Sequence, residues 1–336
     1  MITGTRTTTS HHYNLNHTTF YIHTPFMKLV AAFLKLIRWP NLFFIALTQS
    51  LFYFCVFDRL LLQAAFPHSH LLFFLLVSAS VVIAAAGYII NDYFDVQIDA
   101  INKPQKVVVD KMVKRRWAIM WHWLLSSLGI VLSLYISYKI GNWIIAIANF
   151  FCVLLLWFYS TTFKRKVLSG NIIIAALTAW VIVVVYFFCG ANIINWQQTN
   201  IPFDVNKFFK YMVLYAGFAF IVSLIREVVK DLEDMQGDAK YDCRTMPIAW
   251  GVPVSKVYTA VWLVVCVAAL TIIQLYAVQL GWWPIALYGI FFIILPLLWI
   301  FRKLFKARVA ADYKQLSTQI KFVMLAGILS MLFFIF

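Results

Sequence analysis

The chain has 336 residues, of which 63% are hydrophobic and 12% are charged, and its formal net charge is +15. Soluble domains are about 45–50% apolar and about 25% charged. This composition therefore excludes a soluble enzyme, a coiled coil and a disordered chain. It indicates a polytopic membrane protein, in which the few charged residues carry most of the information about function.

The first 27 residues differ from the rest of the chain. They are rich in Thr, His and Asn, and they lack the basic start and apolar core of a signal peptide. We expect residues 1–27 to be a mobile N-terminal tail. Residues 28–336 are expected to form a single transmembrane domain.

Nine apolar stretches predict an all-α integral membrane protein. A helix needs about 20 such residues to cross the hydrocarbon layer. Long unbroken runs such as residues 172–185 argue against a β-barrel, whose spans are short and alternate apolar with polar residues. The predicted spans are 35–57, 71–93, 117–138, 143–160, 168–190, 211–232, 254–280, 283–301 and 317–336.

The basic residues predict the orientation of these spans. Cytoplasmic loops carry the Lys and Arg excess, and all but four of the 28 Lys and Arg residues lie on or near one side of the nine-span arrangement. We expect that side, with the N-terminus, to face the cytoplasm from the inner membrane. Basic loops beside anionic lipid headgroups explain the positive charge, so no nucleic acid is indicated. The sequence points to no protein partner.

The first acidic cluster closes the second span. Nine of the 13 acidic residues fall within 92–99 and 227–242. Asn91, Asp95 and Asp99 recur every four residues and would share one face of a helix. Neighbouring carboxylates repel, and the cost rises at the edge of an apolar layer. Because Mg²⁺ binds one or two carboxylates together with water and substrate phosphate, we expect it to bind here.

The second cluster closes the sixth span. Asp234 and Asp238 repeat the four-residue spacing, with Asp231 on a neighbouring face. We expect the two clusters to face each other and to hold two or more Mg²⁺ ions and a diphosphate, above a long hydrocarbon tail. One alternative is that both clusters are solvated helix ends. Another is a cation-coupled transporter, although transporters often place such groups near the midplane.

With these two motifs the sequence resembles the UbiA superfamily of intramembrane prenyltransferases. Residues 91–99 match the first aspartate-rich motif of that family, and residues 234–238, with Arg244 downstream, match the second. The resemblance covers nearly the whole chain from about Lys35. It implies a nine-helix bundle whose central cavity is capped by two cytoplasmic loops. It also implies Mg²⁺-dependent transfer of a prenyl group from its diphosphate to a lipophilic or aromatic acceptor.

The resemblance assigns roles to individual positions. Lys164 would hold the diphosphate and Tyr159 would face the reacting carbon, although Lys164 also fits an ordinary basic residue of a cytoplasmic loop. The principal metal carboxylates, which are also catalytic, are Asp95, Asp99, Asp234 and Asp238. The additional metal candidates are Asn91, Asp92 and Asp231. The residues expected to contact substrate are Arg38, Asn41, Asn91, Lys103, Arg226, Lys230 and Arg244.

Within the superfamily, residues 226–238 are most similar to digeranylgeranylglyceryl phosphate synthases. Those enzymes attach a second geranylgeranyl chain to geranylgeranylglyceryl phosphate, a step of ether-phospholipid biosynthesis. Enzymes that prenylate aromatic acceptors in quinone-type biosynthesis have related second motifs, so aromatic prenylation is the alternative. In the first cap loop, the family usually has Arg-Pro and then Gly, whereas this chain departs from that pattern over residues 106–111.

Overall fold

The computed structural model describes residues 25–60, 70–105, 107–196 and 204–335. Within these residues the nine predicted spans are confirmed as nine helices long and apolar enough to cross a membrane. A shorter helix, α1 (Pro25–Leu36), precedes them. The spans are α2 (Trp39–Leu60), α3 (His70–Asn102), α4 (Arg115–Ile140), α5 (Ile144–Thr161), α6 (Ser169–Trp196), α7 (Val205–Lys240), α8 (Val252–Gln279), α9 (Trp283–Lys306) and α10 (Ala310–Ile335).

The first predicted span, 35–57, merges two helices that the structure separates. Residues 1–24 of the predicted tail lie outside the described residues, and α1 begins at Pro25, before the predicted end of that tail. Arg38 adopts a left-handed conformation with φ of 52° between α1 and α2. Pro40 lies in the first turn of α2. Because proline inside a helix lacks the N–H that would bond to the carbonyl four residues earlier and its ring clashes with that carbonyl, one helix does not run through this segment.

Apolar contacts attach the first cap loop to α1. Val108, Val109 and Val113 of the loop between α3 and α4 pack in one buried cluster with Ala32 and Leu36 of α1. Val108 and Val109 belong to the segment, residues 106–111, whose sequence departs from the family pattern. The departure therefore supplies buried side chains that anchor the loop over one end of the bundle.

The helices that carry the acidic motifs are longer than predicted. α3 continues past the predicted end at residue 93, and α7 continues past 232. Hydropathy falls where the acidic residues begin, but the helical backbone continues. α3 packs against α2, α4 and α5, whereas α7 packs against α6, α8 and α10. Because α3 and α7 also pack against each other, the two motifs lie on adjoining helices at the centre of the bundle.

A cavity of about 90 Å³ lies between α2, α6, α7 and α10. Its walls are almost entirely apolar; Phe44, Phe218 and Met324 contribute side chains, and Thr48 and Thr178 are among its few polar residues. A groove of about 400 Å³ lies between α5 and α6.

Close packing of α4 on α3 depends on Gly129. A Cβ at this position would lie 2.4 Å from Cγ1 of Ile83, and small residues are what allow membrane helices to approach closely. We expect Gly129→Ala to lower the free energy of unfolding by about 1–3 kcal/mol, the usual cost of overpacking. Thermal unfolding in detergent measures the change.

Gly217→Ala is the matched control, since nothing lies within 4 Å of a Cβ at residue 217. We expect this variant to unfold at the temperature of the unsubstituted protein or slightly above it. Equal destabilisation by the two substitutions would contradict the packing explanation.

Candidate active site

Arg38 connects the break between α1 and α2 to the first acidic motif. Its Nη2 donates a hydrogen bond to Oδ1 of Asp92 at 2.6 Å, and its Cζ lies 5.1 Å from the ring centre of Tyr88. Burial disfavours the charged form, but the Asp92 carboxylate outweighs it and raises the pKa of Arg38 above its usual value. The left-handed turn at Arg38 therefore delivers a permanent positive charge to the motif.

Lys103 and Asn102 connect the end of α3 to the second motif on α7. Nζ of Lys103 lies 2.5 Å from Oδ2 of Asp234 and 3.9 Å from Oε1 of Glu233. Burial alone would lower the pKa of Lys103, but these carboxylates raise it above its usual value. Oδ1 of Asn102 accepts a hydrogen bond from the Gly237 N–H at 2.7 Å. A Cβ at residue 237 would lie 2.6 Å from that side chain, so glycine is what permits this contact.

Lys164 forms an ion pair with Asp95 of the first motif. Lys164 reaches Asp95 from the turn that follows α5. The start of α6 holds that turn in place. Oγ of Ser169 donates to the Phe163 carbonyl at 3.1 Å. A Cβ at Gly170 would lie 2.8 Å from Cα of Lys164. Gly170 was missed by the sequence analysis because its role depends on this close approach.

Asp231 and Glu227, the buried acidic residues of the second cluster, bind polar and basic side chains. Nδ2 of Asn171 donates to Oδ2 of Asp231 at 2.8 Å. Glu227 is bound by Nζ of Lys230 at 2.9 Å and by Nη1 of Arg226 at 3.3 Å. Asn171 was also missed; its only sequence signal is an amide at the start of an apolar span. It holds the Asp231 carboxylate against α6.

The two motifs face each other across α3 and α7. Asp238 interacts electrostatically with Asp234 on its own helix and with Asp99 on α3. Tyr159 of α5 interacts in the same way with Asp231 and Asp238. The structure therefore brings both predicted carboxylate pairs and the predicted tyrosine into one polar region at one end of the bundle.

The oxygen atoms of this region suit divalent cations that arrive with a substrate. In the described part of the chain, no three His, Cys, Asp or Glu side chains converge into a ready-made metal site. Oδ1 of Asn91 and Oδ1 of Asp234 are buried, and neither receives a hydrogen bond from the described residues. Mg²⁺ characteristically uses one or two carboxylates and completes its shell with water and substrate phosphates. The donor set therefore fits Mg²⁺ bound jointly with a diphosphate.

Arg244 and Asn41 were predicted to contact substrate, and the structure gives each of them a different environment from the acidic motifs. The Arg244 side chain is exposed, and its backbone N–H donates to the Arg165 carbonyl at 2.8 Å. This bond joins the loop after α7 to the turn after α5. Oδ1 of Asn41 accepts a hydrogen bond from Nζ of Lys321 on α10 at 2.8 Å. Lys321 was not among the residues predicted from the sequence.

Together, the fold and the site define an all-helical, multi-pass integral membrane protein with paired acidic motifs and basic side chains at one end. That arrangement suits the binding of a diphosphate with divalent cations. Residues 50–326 match the model of the UbiA prenyltransferase family. The chain belongs to this family.

Individual relatives agree with this assignment. The chain is 32% identical over 196 residues to digeranylgeranylglyceryl phosphate synthase of Methanosphaera stadtmanae, a match that covers 58% of this chain and 64% of that relative. The matched region thus spans just under two thirds of the relative's length. A solved structure from work on digeranylgeranylglyceryl phosphate synthase in membranes aligns with a TM-score of 0.57 at 24% identity, covering 91% of this chain and 99% of that one.

A UbiA homolog from Archaeoglobus fulgidus, solved with DMAPP and Mg²⁺ bound, has the same fold. It aligns with a TM-score of 0.52 at 15% identity and covers 88% of this chain and 98% of its own. At these identities the structural matches establish the fold alone.

Proposed function

We propose that the protein transfers a geranylgeranyl group from its diphosphate to geranylgeranylglyceryl phosphate, with Mg²⁺, as a step in the synthesis of membrane ether lipids. Residues 28–336 would act as one domain. The observation that carries the proposal is the placement of two acidic motifs on adjoining central helices, each motif in contact with basic side chains. The similarity to digeranylgeranylglyceryl phosphate synthases supports the choice of acceptor.

Seven residues are the proposed metal ligands. When bound, Mg²⁺ would act as a Lewis acid on the diphosphate oxygens and stabilise the departing pyrophosphate. The A. fulgidus homolog with DMAPP and Mg²⁺ supports this choice of ion. The proposed principal ligands are Asp95, Asp99, Asp234 and Asp238, and the proposed additional ligands are Asn91, Asp92 and Asp231.

The chain's own residues would bind the diphosphate and protect the reacting carbon. Lys103 and Lys164 each lie against a motif carboxylate, so both are placed to bind diphosphate oxygens that approach the motifs. The C–O bond of the donor would break with its electron pair passing to the departing pyrophosphate. The acceptor hydroxyl oxygen would bond to the allylic carbon, and its proton would pass to the released pyrophosphate. The ring of Tyr159 would stabilise positive charge on that carbon by about 0.5–2 kcal/mol. Burial of the site limits quenching by water.

We further propose that this end of the bundle faces the cytoplasm from the inner membrane, as the distribution of basic residues favours. Lys166 follows α5 at the end that holds the motifs, whereas Lys139 lies at the opposite end of α4, and both are exposed. In a cysteine-free protein in intact cells, we expect an impermeant maleimide to label Lys139→Cys and to leave Lys166→Cys unlabelled until the cells are opened. The reverse pattern would invert the orientation.

The metal role of the motifs predicts a loss of activity with retention of fold. We expect Asp95→Ala and Asp238→Ala each to lower prenyl transfer at least about a hundredfold, because each removes a proposed ligand of the Mg²⁺ that stabilises the developing negative charge. EDTA should abolish transfer by the unsubstituted protein, and added Mg²⁺ should restore it. Product formation from radiolabelled donor is the measurement.

Asp204→Asn is the control for these substitutions. Asp204 lies at the other end of α7, where its Oδ1 accepts a hydrogen bond from the Lys207 N–H at 2.9 Å, and asparagine caps helices equally well. This variant should keep full activity. Full activity of Asp95→Ala, or transfer that is insensitive to EDTA, would contradict the metal role.

The acceptor is tested by product analysis. The purified protein is given geranylgeranyl diphosphate with geranylgeranylglyceryl phosphate, and separately with aromatic acceptors such as homogentisate, and the lipid products are identified by mass spectrometry. We expect an ether lipid with two geranylgeranyl chains from the first mixture. An exclusively aromatic product would replace the proposal with the aromatic alternative. Cation-dependent solute uptake without release of pyrophosphate would instead identify a transporter.

A further inference from the structure

A second polar layer lies deeper in the bundle than the acidic motifs. Arg226 precedes Asp234 on α7 by eight residues, which places it about 12 Å further along the helix axis. Tyr88 precedes Asp95 on α3 by seven residues, about 10 Å along that axis. The two residues interact electrostatically. They therefore lie in one layer roughly two helical turns from Asp95 and Asp234. Arg38, which binds Asp92 and lies against Tyr88, connects this layer to the first motif.

Lys321 brings a third helix into this layer. It lies about 16 Å from the start of α10, where its Nζ donates to Oδ1 of Asn41 and lies 5.0 Å from the ring centre of Phe44. None of the ion pairs formed by the described residues includes Lys321. Ionised side chains at such depth are costly and are usually retained for function.

The layer carries more positive than negative charge. Glu227 is the carboxylate bound by both Arg226 and Lys230, and Lys321 interacts electrostatically with Arg226. Nε of Arg226 is buried, and it has no hydrogen-bond partner among the described residues. Asp231 also interacts with Glu227 and Lys230, so two carboxylates face the three cations. The remaining positive charge is one that an anionic ligand would compensate.

The layer also closes the apolar cavity between α2, α6, α7 and α10. Phe44, against which Lys321 lies, lines that cavity. Met324, one turn along α10 from Lys321, and Phe218, about two turns along α7 from Arg226, line it as well. The cationic layer and the apolar cavity are therefore adjacent. A ligand that combines a phosphate group with a hydrocarbon chain would match this arrangement.

We propose that Lys321 and Arg226 bind the phosphate of the acceptor lipid. The inference rests on the proposed function and adds to it a phosphate site separate from the diphosphate site. Lys321 and Arg226 would hold the acceptor by its phosphate, so that the neighbouring hydroxyl points toward the acidic motifs. The hydrocarbon chain of the acceptor would enter the cavity lined by Phe44 and Met324.

The test compares acceptors with and without phosphate in Lys321 variants. The protein is placed in phosphatidylcholine nanodiscs and assayed with geranylgeranylglyceryl phosphate and with geranylgeranylglycerol. For Lys321→Gln we expect the KM for the phosphorylated acceptor to rise about tenfold to a hundredfold, the loss for one hydrogen bond to a charged group. The KM for the donor diphosphate should not change. With geranylgeranylglycerol, Lys321→Gln and the unsubstituted protein should have equal kcat/KM.

Two further variants separate a phosphate contact from a structural role. Lys321→Arg keeps the charge and should recover much of the affinity for the phosphorylated acceptor. Lys314→Gln changes an exposed lysine about two turns nearer the start of α10 and should behave as the unsubstituted protein. An equal loss for both acceptors in Lys321→Gln, or an unchanged KM, would overturn the proposal.

Equilibrium binding of geranylgeranylglyceryl phosphate without donor distinguishes this inference from the proposed function. Binding that is lost in Lys321→Gln, in a protein that forms no product, would overturn the function and retain the phosphate site. Product formation with the same dependence on Lys321 for both acceptors would overturn the site and retain the function. Neither product nor binding would overturn both.

Discussion

Neutralisation of buried carboxylates is the constraint on which one end of this bundle depends. Acidic side chains near an apolar layer are costly unless an opposite charge lies beside them. Asp92, Asp95 and Asp234 each contact a basic side chain from a different segment: the turn before α2, the turn after α5 and the end of α3, respectively. The breaks and turns at this end are therefore not incidental connections. They place the positive charges that allow two acidic helices to adjoin.

The same contacts explain how the site can accept a diphosphate. Lys103 and Lys164 each bind a motif carboxylate. If a diphosphate binds with its metal ions, phosphate oxygens would replace the carboxylates as partners of the lysines, and the metal ions would replace the lysines as partners of the carboxylates. Because the opposing motifs lie on separate helices, the proposed substrate and its metal ions would bridge α3 and α7, which also meet through Asn102 and Gly237.

Local patterns in the sequence predicted the nine spans and both acidic motifs, because apolar length and four-residue spacing are properties of contiguous residues. Contacts between distant residues were not predictable in this way. Gly170 matters because it approaches the turn that holds Lys164, and Asn171 matters because it meets Asp231 on another helix. The bounds predicted for the first span were wrong for a different reason, because the signal that would have corrected them is local. Pro40 was visible in the sequence and, because proline is tolerated in the first turn of a helix but not in its interior, indicated that a new helix begins just before it.

Lys321, like the acidic residues of the two motifs, is an ionisable side chain in a largely apolar chain. It is the only charged residue in the predicted span 317–336, and an ionisable side chain within a span is expected to have a function. The positive-inside rule explains basic residues in loops, but it does not explain a lysine about 16 Å along α10. Scarce charge is therefore informative for both signs. In the function we propose, the acids bind the diphosphate with its metal ions, and Lys321, which forms no ion pair among the described residues, binds a second anionic group deeper in the bundle.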